Sequence, residues 1–513
     1  MTTTKADIQS CNLSPIERFV LLISLSLAAF MMVLDYSIAN VSIPYIAGDL
    51  SVSTDQGTYV ITSFAVGNAI GLAMTGWLTK RVGVVKLMSI AIALFTILSL
   101  LCGLSVNLTM LIVARFVQGL VAGPIIPLSQ SLIIQTTEKK NVLRDLSIWS
   151  LIIITGPVIG PILGGYISDW YHWSWIFYIN VPVGVFCLIS LWAIMKNHES
   201  GVEKAPSDYI GMIMLAVGVT CLQILLDKGQ QWDWLNSNLI WVLLIGTIMA
   251  FTLLVIRELY HSSPFLELRL FATPSFSLSI ICLMVSYGIY FGTIVLVPLW
   301  LQEYMGYNAE WAGLAVSFLG IAPIFLGAFT PKLINKLGSV LTLLISFVVF
   351  GLACFYTSFF TTEVDFHHIA FSRFLFGIGF TCYITPLIEI SVQDVPSKSL
   401  PSATGIFHFM RAMVGGIGTS VFTTLWQRRT YFHHERVGSA LTPYNPITPH
   451  AADEHSLELL NNGLDQQAAL LAINDAFFLM AWLFGGLVVL LLGWYFFSRN
   501  KKRNRVVLPV SGE

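Results

Sequence analysis

The sequence predicts an all-α polytopic membrane protein, two six-helix bundles with two further helices inserted between them, and three observations predict it. The first is composition. Of the 513 residues 56% are apolar and only 11% charged, where soluble domains carry about 25% charged residues, and the mean hydropathy is +0.76. The second is spacing: about 20 apolar residues are needed for a helix to cross the hydrocarbon of a bilayer, and fourteen stretches qualify. The third is an internal repeat. Leu111 to Gly119, around Arg115, matches Ile369 to Gly377, around Arg373, with Pro127 and Pro386 following, and Gly76 to Gly83 is similar to Pro331 to Gly338.

Taken in order, the spans expected in the first bundle are 19–39, 57–78, 87–104, 108–134, 146–168 and 173–195. Two more, 210–226 and 239–256, have no counterpart in the repeat and form the insert. The last six are 276–301, 309–331, 340–360, 369–392, 402–426 and 476–497. The expected units are therefore 1–196, 197–272 and 273–513. Between the last two spans the polar segment 427–475 reads as a loop, extended around Pro443, Pro446 and Pro449, with a short amphipathic helix from Leu457 onward. It is longer than a tether needs, which makes it a candidate partner surface.

Orientation follows from Lys and Arg, which collect in cytoplasmic loops. With both termini cytoplasmic, twenty of the 27 fall inside, four outside (Lys228, Arg428, Arg429 and Arg436) and three within spans (Arg115, Arg373 and Arg411). The first span follows a polar segment without a small-residue cleavage site, so a retained helix is expected. Asp227, beside Lys228 at the end of the seventh span, reads as half of an interfacial pair.

Chemistry begins with Asp35, the only ionisable group between Phe19 and Ala39. A charge there costs ~2.5 to 3.5 kcal/mol on insertion scales and marks a functional candidate. A carboxyl poised between desolvation and a nearby cation is suited to load and release a proton. The seven cysteines include no Cys-x-x-Cys pair, and neither a zinc site nor a disulfide framework is indicated. No nucleophile and base pair or metal-ligand cluster appears, so no enzyme is expected. The net charge of -1, without bulk basic character, argues against nucleic acid as a partner.

Three motifs join Asp35: Gly76, Lys80, Arg81 and Gly83 with Lys86; Arg115, Gln118 and Gly119; and Gly156, Pro157, Gly160, Pro161, Gly164 and Gly165. Together with the stretch from Leu34 to Pro44, they resemble the motifs of major facilitator drug:proton antiporters, specifically the fourteen-helix EmrB/QacA type, from about Ile16 to Phe497. The resemblance implies a proton role for Arg115, a hinge between halves at the Gly-Pro repeat, and a cytoplasmic gate around Gly76 to Lys86. Lys80 stands where the superfamily pattern has an Asp, so a charge relay through that position is not expected. In the second half Arg411 matches a family Arg, and it is grouped with His408 and Glu389 as candidates for proton coupling. Residues expected at a substrate cavity are Asn40, Gln118, Tyr287, Tyr290, Phe380, Tyr383 and Phe407, because aromatic walls bind apolar and cationic compounds by burial and cation-π contact.

The expected function is proton-coupled multidrug efflux by alternating access, between repeated halves with a site at their interface. Protons serve as coupling ion and no other cofactor is expected. The resemblance places the chain in the bacterial inner membrane, surrounded by lipid, with hydrophobic drug-like substrates and a periplasmic adaptor and outer-membrane channel as partners. Two alternatives stand beside it: export of an endogenous siderophore, lipid or fatty acid, and a non-transporting sensor or scaffold on a transporter fold.

Overall fold

The computed structural model describes residues 13–138, 141–196, 208–260, 266–396, 400–439 and 454–506, and every regular element among them is helical. The first bundle contains α1 (Pro15–Ile38), α2 (Tyr59–Val82), α3 (Val84–Gly103), α4 (Leu108–Ala122), α5 (Gly156–Trp170) and α6 (Asn180–Met195). The inserted pair is α7 (Tyr209–Lys228) and α8 (Asn238–Tyr260). Then come α9 (Pro274–Glu303), α10 (Ala309–Leu326), α11 (Ser339–Thr357), α12 (Phe366–Thr381), α13 (Leu400–Gly438) and α14 (Glu454–Val506). Twelve helices among the described residues are long and apolar enough to cross a membrane. The expected fifth span falls on two shorter helices, Val142–Ile154 and α5, parted at Thr155, and the thirteenth lies inside the more polar α13.

Helix starts follow local chemistry. In lipid every backbone donor needs an internal partner, and the first turn of a helix has none of its own. Ser14 and Glu17 form a capping box at α1, while Asn107, Asp208, Asn308 and Asp365 take first-turn N–H groups of α4, α7, α10 and α12. The sequence repeat is visible in the backbone: Gly83 (φ 95°) turns α2 into α3, and Gly338 (φ 83°) turns Thr330–Leu337 into α11. Only glycine adopts that region without strain.

The two bundles meet along two seams, α5 against α10 and α2 against α13, and α7 packs on both α2 and α13. Ile61, Val66 and Ala69 of α2 and Leu215 and Val219 of α7 share one buried cluster with α9 to α14. The expected loop 427–475 is corrected by the structure. α13 runs on to Gly438 and α14 begins at Glu454, while the three prolines lie outside the described residues. At 1.5 Å per residue α13 is about 58 Å long, against ~30 Å of hydrocarbon, so both helices continue beyond the membrane. Asp475 of α14 clasps Arg429 and His433 of α13, the latter at 2.7 Å, and Trp426 donates to the Ala469 carbonyl at 3.2 Å.

Candidate functional site

Asp35 and Arg115 meet. Both are fully buried, and Arg115 Nη1 donates to Asp35 Oδ2. Asp35 Oδ1 accepts from Asn180 Nδ2 of α6 at 2.7 Å and from Gln118 Nε2 at 3.4 Å. Arg115 and Gln118 are one turn apart on α4 and share a face, which lets Nη1 also donate to Gln118 Oε1 at 2.7 Å. Ser99 of α3 accepts from Gln118 Nε2 at 2.8 Å, and the Val60 carbonyl of α2 accepts from Arg115 Nε at 3.3 Å. The guanidinium lies over the Phe64 ring at 4.2 Å and the Phe177 ring at 5.4 Å. Five helices thus converge on one ion pair.

The donor set decides what this cage holds. Guanidinium and amide N–H groups face Asp35, and none of them can accept a hydrogen. As placed, each group within hydrogen-bond distance of Asp35 is a donor, and the guanidinium balances its charge. Breaking a buried pair by removing one charge costs ~3 to 5 kcal/mol.

Next to Asp35, Tyr36 faces the other way, into the second bundle. Its ring is 5.1 Å from Phe291 of α9 and 5.4 Å from Phe64, the ring that Arg115 lies over. Phe291 continues into Tyr287 (5.0 Å) and Tyr290 (5.4 Å), and Tyr290 stacks on Phe380 at 4.6 Å. Tyr383 accepts from Ser286 at 2.7 Å and lies 6.0 Å from Phe380. Arg411 sits over Tyr287 at 5.8 Å. A continuous run of ring contacts thus leads from the ion pair to an aromatic cluster of the second bundle.

The structure therefore divides the expected residues. Tyr287, Tyr290, Phe380 and Tyr383 come together and Arg411 joins them; His408, half-buried and one turn before Arg411 on α13, packs beside its buried neighbour Phe407. Gln118 belongs to the Asp35 cage, and Asn40, buried just past α1, leaves its Oδ1 without a partner among the described residues. Glu389 is exposed on Ile384–Val392, outside the cage. Arg373, the repeat mate of Arg115, is equally buried but donates to Thr357 (3.2 Å) and Ser372 (2.9 Å), neutral hydroxyls, so the two halves are not equivalent.

The Gly-Pro repeat lies between the bundles. An added Cβ on Gly156, Gly160 or Gly164 would meet Val33, Ser37 or Ile38 of α1, so this face carries the Asp35 segment. The adjacent face meets α10: a Cβ on Gly165 would lie 2.2 Å from the Ala309 carbonyl oxygen, and Gly313 would approach the Pro161 carbonyl equally closely. In the expected gate, Gly76, Arg81 and Lys86 are exposed; Arg81 stacks on Trp77 and on Tyr209 of α7, each at 5.5 Å, rather than on the second bundle. The side chain of Lys80 lies outside those described.

Several residues escaped the sequence reading. Tyr36, Ser99 and Asn180 are polar groups in apolar spans, and the signal for Asn180 was only its place inside the sixth. Asp169, at the end of α5, accepts the backbone N–H groups of Ala309 (3.2 Å) and Glu310 (2.7 Å) and the Tyr45 hydroxyl. Burial, then the bond to Asp169, push the Tyr45 phenol up to about 12, so it stays a donor. Asp227 is also more than an interfacial partner of Lys228: Thr62, Gln223 and Ser420 all donate to it.

Residues 25–419 match the Major Facilitator Superfamily signature. The chain is 40% identical to the multidrug export protein EmrB of Escherichia coli K12 over 495 residues, 94% of this chain and 95% of that protein. It is 38% identical to the fatty acid resistance protein FarB of Neisseria gonorrhoeae, covering 89% of this chain and 92% of that one. Among solved structures, a bacterial homolog of the human lysosomal transporter Spinster shares the fold with a TM-score of 0.64 at 16% identity, covering 94% of this chain and 99% of that one.

Proposed function

We propose that this chain, which belongs to the Major Facilitator Superfamily, is a proton-coupled exporter of hydrophobic and cationic drugs in the bacterial inner membrane. The observation that carries the proton part is the buried Asp35–Arg115 pair in its cage of donors. The ionised pair holds α1 against α4; a proton on Asp35 releases it, and the movement passes through Phe64 and Tyr36 to the aromatic cluster where a drug would sit. Alternating access about the α5–α10 and α2–α13 seams then exposes the cargo outward. Multidrug export is supported by relatives named for it, at 40% identity over nearly the whole chain.

The test is ethidium efflux from cells with and without a protonophore, for wild type and Asp35→Asn at matched expression. Protonophore-sensitive efflux is expected in wild type and not in the variant. Undiminished coupling in correctly inserted Asp35→Asn protein would sink the proposal. A second cargo class, fatty acids, is favoured by the resemblance to a protein named for fatty acid resistance. Growth of a deletion strain on long-chain fatty acids, compared with its drug susceptibility, separates the two. The extensions of α13 and α14 beyond the membrane are the surface on which an adaptor of a tripartite pump would dock.

A further inference from the structure

The outer end of α7 carries a carboxylate that coupling through Asp35 does not use. Asp227 Oδ1 accepts from Ser420 of α13 and, at 2.8 Å, from Gln223 of its own helix; Oδ2 accepts from Thr62 of α2 at 2.7 Å. The Tyr59 hydroxyl donates to the Asp227 carbonyl at 2.8 Å. One carboxylate therefore ties the first bundle, the insert and the second bundle together. It borders a polar cavity of about 310 Å³ lined also by Asp55, Thr58, Gln231, Thr423, Gln427 and Tyr431.

This site differs from the Asp35 cage in one respect that matters for protons. All three donors are neutral, and two are hydroxyls with a second acceptor at hand: Ser420 Oγ lies 3.1 Å from the Gly416 carbonyl, and Thr62 Oγ1 lies 3.4 Å from the Tyr59 carbonyl. When Asp227 takes a proton, Ser420 turns its hydrogen to Gly416 and accepts the new O–H, so both protonation states are satisfied without displacing a heavy atom. The charged groups facing it are few. Lys228 lies 4.5 Å from the Tyr59 ring and donates to Gln231 at 3.1 Å. Asp55, on the short helix Thr54–Gly57 before α2, and Tyr59, at the start of α2, face the cavity, as does Tyr431 from α13. Arg428 is turned to Gln230, at 2.7 Å, and to the Trp234 ring.

We propose that Asp227 is a second proton-binding group, loaded from the outer medium through this cavity, and that its charge latches the outer seam of α2, α7 and α13. The proposal rests on proton coupling as the driving force. Hydrogen bonds to an ionised group are roughly twice as strong as neutral ones, so the carboxylate holds the seam shut and the protonated acid eases it. The inserted helices thereby become part of the transport cycle.

The experiment is an infrared pH titration of the full chain in lipid, in wild type, Asp227→Asn and Asp227→Glu, repeated with Asp35→Asn. Acidification is expected to raise a protonated-carboxyl band that lacks one group in Asp227→Asn and regains it in Asp227→Glu, on either background. Spin labels on the outer ends of α2 and α13 are expected to separate on acidification in wild type and not in Asp227→Asn. Identical titrations of wild type and Asp227→Asn would overturn the proposal. If Asp227→Asn does not insert, Ser420→Ala keeps the carboxyl and removes its exchange partner; an unmoved midpoint of the band overturns it as well. Failure of the parent reading shows separately, as coupled ethidium efflux surviving in Asp35→Asn.

Discussion

At the scale of single residues, the ion pair makes a prediction that separates charge from packing. Arg115→Ala strands a buried carboxylate and is expected to cost about 3 to 5 kcal/mol, read as a lower unfolding midpoint in detergent. The double variant Asp35→Asn with Arg115→Gln replaces both charges by amides and should recover much of that stability while transport stays dead. A double variant as fragile as Arg115→Ala would place the cost in shape rather than charge. Asp35 and Arg115 were legible in the sequence because a charge inside an apolar span has few explanations. Asn180 and Ser99 were not, since neutral polar residues are tolerated in spans and only the tertiary fold brings them to Asp35. Asp227 was read only in part for a related reason: the adjacent Lys228 offered a local partner, whereas its hydrogen-bond donors lie 165 and 193 positions away and on its own helix.

At the scale of elements, α5 is the piece with two partners. Gly160 faces Ser37 within the first bundle, but Gly165 faces the Ala309 backbone across the seam. Gly165→Ala forces α5 and α10 apart, an overpacking cost of about 1 to 3 kcal/mol, and the cost falls only on the conformation in which that seam is closed. The variant is expected to fold and insert, lose transport, and show a wider gap between spin labels on the outer ends of α5 and α10. Gly160→Ala strains a contact inside one bundle, so its labels should keep the wild-type spacing; equal widening in both variants would show that the α5–α10 seam is not what Gly165 keeps closed. The glycine face of α5 was readable because small residues at four-residue spacing share a helix face. The helical extension of α13 was not, because its run from Gln427 to Val437 is too polar for an apolar pattern, though it contains no Gly or Pro to stop a helix.

At the scale of the molecule, contacts between bundles join the ends that the Lys and Arg distribution places outside. Gln302 of α9 donates to the Val41 carbonyl past α1 at 3.0 Å, Trp170 donates to Glu310 at 3.1 Å, and Asp169 takes two N–H groups from the first turn of α10. The last contact is the most informative, because a helix N-terminus with unpaired donors and a positive dipole end is completed by an anion from the opposite bundle. Asn308 caps the Trp311 N–H locally at 3.1 Å, so α10 forms without Asp169 and only the closure depends on it. Asp169→Ala is therefore expected to leave the fold intact and to weaken the outward-closed state by about 1 to 2 kcal/mol, a factor of roughly 5 to 30 in its population. Distances between labels on the outer ends of α2 and α13, measured in nanodiscs, would show a second, longer population appearing. Asp169→Asn keeps one acceptor and should fall between. If Asp169→Ala leaves the distance distribution unchanged, the closure is held by the α2–α7–α13 seam, and Asp227 rather than Asp169 is the group whose charge the outer gate obeys.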